Sequence, residues 1–575
     1  MAASLNLSDY LAQVEHHPAL VDTAHQRIAR MILQAGGADD AGHPYPFFSQ
    51  HLSGIDDTLR TIVDQYFRPA AQGFDARHRI LLLVGPVGSG KSSLVTLLKR
   101  GLETFTATPE GALYAIAECP MHEDPIHLLD SADRHALAER LHRPAILEGE
   151  LCPLCRFRLD NIYAGDPTRF SISPITLSES LRRGIGTYAP SDPKSQDIAD
   201  LTGSIDFATI GAVGAESDPR AFRFDGELNI ANRGLIEFQE MLKLDERFLY
   251  HLLSLSQEGN FKTGRYQLIS ADEVIVGHTN LPEYTAFREN PRNAALLSRM
   301  MVVPVPYPRQ AADEIRIYTS RLTPYLRPDQ HCDPTLLATM AQWVITSRSE
   351  PREGSLLPAG FDGLDPRFVH DQFASAAASA GDCLTTAHWL TTVRTHLEQD
   401  PFLPTPVRTQ RLAHLTAADT QWRLTIQTQL AHTLTTHAEQ FPTIDLAPAY
   451  FDALERSLSD HTAPTTLMES VQYALGITSR KAQPFQQELA WGYAAFCEQT
   501  ASPSAETARA FAATLPDFAQ ALQTLAWQQF CDTAVVHDTT LQQTFLRVFL
   551  AENPTYCPTC AEAAFHHVVT LGALE

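Results

Sequence analysis

Long apolar runs are missing from this sequence of 575 residues. A helix that crosses a membrane needs about 20 consecutive apolar residues, and no segment approaches that length. The first thirty residues also lack a basic stretch that leads into an apolar run, so we expect no signal peptide. These absences predict a soluble, cytoplasmic protein without a membrane partner.

Basic residues are few relative to acidic ones. Lysine and arginine total 44 against 67 aspartate and glutamate residues, which gives a formal net charge of −23. A surface of that sign repels phosphate backbones, which argues against non-specific binding to nucleic acid. A local basic groove is still compatible with this charge.

Cysteine is sparse as well, and nine residues in so long a chain are too few for a disulfide framework. Cys152 and Cys155 form a Cys-x-x-Cys pair, and Cys119 and His122 form a Cys-x-x-His pair about thirty residues earlier. In a reducing compartment such pairs raise the question of metal. Together the four side chains could close a tetrahedral zinc site.

A second Cys-x-x-Cys pair lies near the end of the sequence. Cys557 and Cys560 are followed by His566 and His567. This pair could form a zinc site of its own or join the first pair. Neither spacing belongs to a named zinc finger, and reduced core thiols or a redox pair are the alternatives for both.

Several short apolar runs predict the buried strands of a parallel sheet. They lie at residues 80–84, 113–117, 235–238, 274–277 and 301–305. Mostly helical segments separate them, which is typical of an α/β domain. After Pro308 helical patterns dominate to the end of the sequence.

A phosphate-binding motif follows the first of these runs. Residues 85–92 match G-x-x-x-x-G-K-[ST] in full, and a helical pattern with Leu94, Val95 and Leu98 comes next. Backbone N–H groups of such a loop converge on phosphates. We expect Lys91 to reach the β- and γ-phosphates of ATP and Ser92 to ligate Mg²⁺. The predicted nucleotide-binding residues are Gly85, Pro86, Val87, Gly88, Ser89, Gly90, Lys91, Ser92 and Ser93.

An ATPase also needs a carboxylate that activates water, usually at the end of a second buried strand. Residues 231–240 resemble the Walker B segment of AAA+ proteins, with Glu240 at the position of the catalytic glutamate. Gln239 replaces the aspartate that orients Mg²⁺, and an amide holds a hydrated cation less strongly than a carboxylate. Glu237 is a candidate substitute for that aspartate. The alternative is a surface helix that carries Glu237 and Glu240.

Three further polar residues resemble AAA+ site residues. Asn280 follows the predicted fourth strand and is similar to sensor 1, which positions water. Arg299 precedes the fifth strand and is similar to the arginine finger that reaches the γ-phosphate of a neighbouring subunit, with Arg292 as its rival. Arg367, at the start of a predicted lid helix, is similar to sensor 2. Surface salt bridges are the alternative for these arginines.

Long strings of the sequence resemble the PrkA family, bacterial proteins described as serine protein kinases with an AAA+ module at the N-terminus. The strings are residues 66–73, 84–94, 119–123, 191–198, 223–228 and 257–261, within roughly residues 5–370. The family also lacks the aspartate that Gln239 replaces. The C-terminal third, where the family's kinase domain is placed, resembles the family poorly.

The sequence lacks the motifs of a protein kinase. It contains neither an HRD segment with a downstream asparagine, nor DFG, nor a G-x-G-x-x-G loop followed by a strand lysine. A kinase activity is therefore implied by the resemblance alone. Transfer to serine would have to use the P-loop site or an unfamiliar one.

We predict a P-loop AAA+ domain with a parallel central sheet, a helical lid and an all-helical C-terminal domain. N-terminal helices occupy residues 1–45, the ATPase domain 46–308 with a zinc-knuckle insertion around 119–160, the lid 309–380 and the C-terminal domain 381–575. The expected activity is hydrolysis of ATP with Mg²⁺ by a ring-shaped homo-oligomer that acts on protein partners. The alternatives are a serine protein kinase and a nucleotide-gated regulatory scaffold that hydrolyses little ATP.

Overall fold

The structure is a computed structural model that describes residues 4–36, 45–143, 147–189, 197–215, 218–263, 268–349, 360–441, 444–460, 463–500, 503–536 and 539–572. Most of the family string at residues 191–198 lies outside these ranges. The chain divides into two compact units. The first comprises Met1–Glu314 and Arg348–Pro366, and the second comprises Ile315–Ser347 and Arg367–Glu575.

A five-stranded parallel sheet forms the centre of the first unit. The strands of this unit are, in chain order, β1 (Ile80–Val84), β2 (Leu113–Ile116), β3 (Ile172–Ile175), β4 (Ile185–Tyr188), β5 (Ser204–Ile205), β6 (Phe222–Arg223), β7 (Leu235–Phe238), β8 (Asn260–Lys262), β9 (Leu268–Ser270), β10 (Val274–Thr279) and β11 (Met300–Pro304). The sheet has the order β11-β1-β10-β7-β4, and every neighbouring pair is parallel. The predicted α/β architecture is confirmed.

One predicted strand of this sheet is wrong, and the apolar pattern misses another. The run at residues 113–117 forms β2, which pairs antiparallel with β3 outside the central sheet. The edge of the sheet is β4, where Gly186 and Thr187 interrupt the apolar run. A Cβ on Gly186 would lie 2.9 Å from the carbonyl oxygen of Glu227. The glycine is therefore explained by the close approach of the following chain.

The side chains of β1 alternate between two hydrophobic cores on opposite faces of the sheet. Ile80, Leu82 and Val84 belong to one core, and Leu81 and Leu83 belong to the other. All five are buried. A parallel strand that is covered on both faces requires such an uninterrupted apolar run.

The helices of the first unit precede the sheet and connect its strands. They are α1 (Leu7–His16), α2 (Ala24–Gln34), α3 (Pro46–Ser49), α4 (Asp56–Arg60), α5 (Arg68–Ala71), α6 (Lys91–Thr106), α7 (Ser131–Leu141), α8 (Pro153–Phe157), α9 (Ala199–Thr202), α10 (Phe207–Val213), α11 (Glu227–Ile230), α12 (Glu246–Glu258), α13 (Leu281–Glu289) and α14 (Ala294–Leu297). Thr23 and Gln26 form a capping box that fixes the start of α2. The division between the units falls within α15 (Ala311–Arg321) and α16 (Leu336–Ser349).

In its described residues, the second unit is helical apart from one short ladder. Strands β12 (His331–Cys332) and β13 (Cys383–Leu384) pair in parallel, with His331 opposite Cys383. The helices are α17 (Pro366–Ser379), α18 (Thr386–Gln399), α19 (Thr405–Thr436), α20 (Leu446–Ser459), α21 (Thr466–Ala474), α22 (Ser479–Thr500), α23 (Ala505–Ala513), α24 (Pro516–Val536), α25 (Thr539–Glu552) and α26 (Pro558–Gly572). Among the residues that the structure describes, no helix combines the length and apolar character needed to span a membrane.

Candidate functional site

The loop at residues 85–92 joins the end of β1 to the start of α6. Gly88 and Gly90 have φ angles of 79° and 95°, in the left-handed region that favours glycine. A Cβ on Gly85 would lie 2.2 Å from the carbonyl oxygen of Val305, so a larger residue does not fit there. The first turn of α6 offers N–H groups without intrahelical acceptors and the positive end of the helix dipole. This arrangement binds phosphate.

Lys91, the first residue of α6, folds its side chain back over the loop. Its Nζ donates to the carbonyl oxygens of Gly85 at 2.8 Å and Pro86 at 2.7 Å. Ser92 is exposed in the first helical turn. The Ser89 hydroxyl is buried, with no hydrogen-bond partner in the described part of the chain. Phosphate oxygens would give Lys91 charged acceptors in place of carbonyls, which strengthens the hydrogen bonds.

Two segments outside the motif pack against this loop. The Tyr307 hydroxyl donates to the carbonyl oxygen of Val87 at 2.6 Å. A Cβ on Gly88 would lie 3.0 Å from Asp365 Oδ1, so that carboxylate is an immediate neighbour of the loop. Sequence reasoning misses Tyr307 and Asp365, because nothing in their local sequence marks them as neighbours of the motif.

Glu240 lies just beyond β7, where the chain turns sharply. The N–H group of Gln239 still donates to Tyr188 O at 2.9 Å, so strand pairing continues to that residue. Glu240 then has φ of 48°, a strained conformation for a residue other than glycine and one that is frequent at functional sites. Its Oε2 lies 3.2 Å from Lys243 Nζ. The surface-helix alternative is wrong, because Leu235–Phe238 is a fully buried strand.

Asn280 follows β10 at the same edge of the sheet as the phosphate-binding loop. Thr279 pairs with Val84 in register, and the N–H group of Gly85 donates to Thr279 O at 3.3 Å. The Asn280 side chain accepts from the N–H group of Glu283 at 2.9 Å and caps α13. Because β1, β10 and β7 are adjacent and parallel, the loop, Asn280 and Glu240 follow neighbouring strand ends.

Both carboxylate oxygens of Glu237, which lies within β7, contact other side chains. Lys99 Nζ lies 2.5 Å from its Oε2, and His278 Nε2 lies 3.0 Å from its Oε1. Lys99 also contacts Glu179 at 2.6 Å and the Thr187 hydroxyl. Burial alone raises the pKa of Glu237, but the hydrogen bonds from His278 and Lys99 outweigh it and hold the pKa below its usual value. The carboxylate is thus committed to an internal ion pair rather than available as a substitute for aspartate.

Arg299 lies beside the first residue of β1, whereas the loop follows the last residue of that strand. Its carbonyl oxygen accepts from the N–H group of Ile80 at 2.9 Å. Its guanidinium donates to Gln257 Oε1 at 2.9 and 3.2 Å. Strand β1 has five residues. At about 3.3 Å per residue, its two ends are about 16 Å apart. Arg299 therefore cannot serve the phosphate loop of its own chain, whereas an arginine finger acts on a neighbour's.

The remaining predicted arginines lie on short or exposed segments. Arg292 is exposed within a turn at Pro291–Asn293. Arg367 is the second residue of α17 and belongs to the second unit. Its role as sensor 2 stays a prediction.

Four buried side chains meet in the insertion that follows β2. The thiols of Cys119, Cys152 and Cys155 and the carboxylate of Glu123 place their donor atoms within 4.8 Å of one another. Glu123, rather than His122 as the sequence predicted, is the fourth member of this cluster. His122 occupies a left-handed turn with φ of 49°, and the chain returns after it so that Glu123 Oε2 accepts from Cys119 Sγ at 3.4 Å.

The electrostatics of this cluster favour a cation. Burial raises the pKa of Glu123 well above its usual value, and a bound cation would offset that cost of burying charge. The N–H group of Cys155 donates to Cys152 Sγ at 3.3 Å, and that of Cys152 donates to Glu123 at 2.5 Å. The donor set therefore fits a zinc ion, which accepts thiolate and carboxylate ligands.

The second Cys-x-x-Cys pair has partners that the sequence analysis did not identify. Cys557 and Cys560 meet His331 and Cys383 in the second unit. The histidines proposed as their neighbours are engaged elsewhere. His567 Nε2 lies 3.0 Å from Asp419 Oδ1, and His566 Nε2 lies 3.7 Å from Glu562 Oε1.

Comparison with known proteins adds a family and named relatives. A model of the PrkA AAA domain family matches residues 5–355. The ATP-dependent protease PrkA of Bacillus subtilis (strain 168) is 40% identical over 527 residues, which cover 84% of this chain and 83% of that protein. The serine/threonine kinase YeaG of Escherichia coli (strain K12) is 32% identical over 361 residues, which cover 62% of this chain and 54% of YeaG.

A solved structure of NtrX from Brucella abortus in complex with ATP covers 63% of this chain and 61% of the NtrX chain. Its TM-score is 0.31 at 12% identity.

Proposed function

Because this chain belongs to the PrkA AAA family, we propose that it binds ATP and Mg²⁺ at residues 85–92 and hydrolyses the nucleotide. The observation that supports this proposal is that the three neighbouring parallel strands β1, β10 and β7 end on the same side of the sheet. The phosphate-binding loop follows β1, Asn280 follows β10 and Glu240 follows β7 on that side. The arrangement would supply a phosphate cradle after β1 and a carboxylate after β7, two strands along the same sheet.

The loop would hold the triphosphate by its backbone N–H groups and by the N-terminus of α6. Lys91 would exchange the carbonyl oxygens of Gly85 and Pro86 for β- and γ-phosphate oxygens, and the exposed Ser92 hydroxyl would ligate Mg²⁺. When bound, Mg²⁺ neutralises charge on the phosphate oxygens.

Glu240 is the residue that would accept a proton from the attacking water. Its Oε2 pairs with Lys243, and about two-fifths of the Glu240 side chain is exposed, so water can reach the side chain. Asn280 would position this water through its amide once it leaves the cap of α13. Gln239 would face the hydration shell of Mg²⁺ through water rather than as a charged partner.

Arg299 would act on the nucleotide of a neighbouring copy of the chain. It lies about 16 Å from its own phosphate edge along β1, and its guanidinium is held on the surface by Gln257 and by the carbonyl oxygen of Ala295. We therefore propose a homo-oligomeric ring in which each site is completed in trans. Such a machine would act on protein partners, in line with the acidic net charge.

We also propose that the insertion at residues 119–160 is stabilised by zinc on Cys119, Glu123, Cys152 and Cys155. All four side chains are buried and share one small cluster. The ion would have a structural role, since the cluster is filled by protein ligands and leaves no open coordination position.

The names of the two relatives suggest two alternative ATP-dependent activities. The kinase named for the Escherichia coli relative would transfer the γ-phosphate to a protein hydroxyl. The protease named for the Bacillus subtilis relative would couple ATP to peptide-bond cleavage. A regulatory scaffold that binds ATP and hydrolyses little is the third alternative, which Gln239 favours.

One experiment separates these outcomes. The purified full-length protein is incubated with γ-labelled ATP, Mg²⁺ and casein as an unfolded probe, beside Lys91→Ala as the control without nucleotide binding. We expect free labelled phosphate from the wild type and none from Lys91→Ala. Label on protein that disappears in Lys91→Ala would support the kinase, and ATP-dependent casein fragments would support the protease. Tight ATP binding without phosphate release would support the scaffold and overturn hydrolysis.

A further inference from the structure

Three distant segments of the second unit bring four metal-binding side chains together. His331 comes from β12, Cys383 from β13, and Cys557 and Cys560 from the residues at the start of α26. We propose that these four side chains hold a structural zinc ion. This site is separate from the nucleotide chemistry and from the cysteine cluster of the first unit.

The distances within the cluster suit a tetrahedral ion. Zinc lies about 2.3 Å from sulfur and about 2.0 Å from nitrogen, so ligand atoms around a tetrahedral ion are about 3.5–3.8 Å apart. His331 Nδ1 lies 3.3 Å from Cys383 Sγ and 3.8 Å from Cys560 Sγ. All four donor atoms lie within 4.8 Å of one another. A small contraction around the ion would complete the geometry.

The hydrogen bonding of His331 assigns its tautomer. Its Nε2 lies 3.1 Å from the carbonyl oxygen of Thr555. A carbonyl can only accept, so Nε2 carries the proton and Nδ1 presents its lone pair to the thiols. Metal-bound histidines commonly donate their second nitrogen to a backbone carbonyl in this way.

The Cys-x-x-Cys turn is arranged to stabilise thiolates. The N–H group of Cys557 donates to Cys560 Sγ at 3.1 Å, and the N–H group of Cys560 lies 3.5 Å from Cys557 Sγ. Such donors favour the charged form of a thiol that binds a cation. Three thiolates and one imidazole select zinc over magnesium or calcium, which prefer oxygen ligands.

The ion would connect elements that are weak by themselves. Strands β12 and β13 have two residues each, and an isolated two-stranded ladder is marginally stable at best. The ligands join this ladder to the start of α26, more than 170 residues beyond Cys383 along the chain. Because an unfolded chain does not offer a preformed site, the binding energy of the metal becomes folding energy of this unit.

Zinc content of the full-length protein tests the proposal. Protein purified without added metal is compared with Cys560→Ser, with His331→Cys, and with Cys497→Ser as a control thiol on α22 that is not in the cluster. We expect Cys560→Ser to lose about one equivalent of zinc per chain. Cys497→Ser should lose none, and His331→Cys should keep the ion on four thiolates.

A second measurement, which compares the wild type with His331→Cys, remains decisive if Cys560→Ser does not fold. Both cysteine clusters should contribute charge-transfer and d–d bands after cobalt substitution, and His331→Cys should shift the bands of this site alone by replacing nitrogen with sulfur. An unchanged cobalt spectrum in a folded His331→Cys protein would overturn the proposal. Full zinc content in Cys560→Ser would overturn the proposal. So would a disulfide between Cys557 and Cys560, or iron in place of zinc, in the protein as purified.

Discussion

At the scale of single residues, Glu237 and Glu240 lie three positions apart but have different surroundings. Glu237 has buried contacts with Lys99 and His278. Glu237 points into the protein, where both oxygens are bound. Glu240 lies just beyond the end of β7, at the same end of the parallel strands as the phosphate-binding loop but two strands away from it. One carboxylate therefore stabilises the fold, and the other is placed to meet water.

Replacing Glu237 by glutamine should destabilise the first unit without removing a catalytic group. The change removes the buried negative charge opposite Lys99 and leaves the half-exposed Glu179 carboxylate as its remaining counter-charge among the described contacts. We expect a loss of about 3 kcal/mol in the free energy of unfolding, at the lower end for a broken buried ion pair. Denaturant unfolding measures it. Glu118→Gln is the control, because its carboxylate is 84% exposed and pairs at the surface with Arg158, and should change stability by less than about 1 kcal/mol.

The pH dependence of this difference follows from the lowered pKa of Glu237. Its stabilising contribution is complete above the unfolded value of about 4.3 and is lost as the pH falls through the lowered folded value. The difference between wild type and Glu237→Gln should thus be constant above about pH 5. A difference that instead grew as the pH fell would contradict the ion pair.

The residues of the phosphate loop could be predicted from sequence because the whole motif is contiguous. Lys91 and Ser92 needed only the order of residues around them. The partners of Glu237 could not be found in this way, since Lys99 comes from α6 and His278 from β10. Their contact depends on how three elements pack.

At the scale of elements, apolar runs predicted the central strands well and the peripheral ones poorly. Strand β1 is covered on both faces, so its composition alone identifies it. The edge strand β4 is short, and Gly186 and Thr187 interrupt its apolar residues, so it escapes the same criterion. The run at residues 113–117 is as apolar as an inner strand but pairs in a separate antiparallel ladder.

The cysteine clusters show the same limit for elements that meet across long sequence separations. Spacing identified both Cys-x-x-Cys turns, because each turn is local. Spacing could not identify Glu123 as the fourth side chain of the first cluster, since a left-handed turn decides between it and His122. Nor could it find His331 and Cys383, which reach the second cluster through the β12–β13 ladder.

At the scale of the whole molecule, the role proposed for Arg299 predicts that one chain alone is an incomplete enzyme. We expect Arg299→Ala to fold and bind ATP normally, because the hydrogen bonds that its side chain makes in the described part of the chain are all exposed. Hydrolysis should fall by about 10³-fold, as for other arginine fingers. Steady-state phosphate release measures it, with Arg292→Ala as the matched control that keeps its activity.

Mixing subunits shows whether that arginine acts in trans. Lys91→Ala supplies Arg299 but binds no nucleotide, and Arg299→Ala binds nucleotide but lacks the finger. Mixed assemblies should recover part of the activity that each variant lacks alone. If they assemble and stay inactive, or if Arg299→Ala alone is fully active, the ring with shared sites is wrong.

The central claim is that Glu240 activates the water that attacks ATP held at residues 85–92. The most direct test measures ATP binding and phosphate release on the same preparation of Glu240→Gln. We predict a dissociation constant for ATP close to that of the wild type and a hydrolysis rate at least about 10²-fold lower, as for loss of a general base. Hydrolysis at the wild-type rate, or loss of ATP binding together with activity in a folded protein, would contradict it.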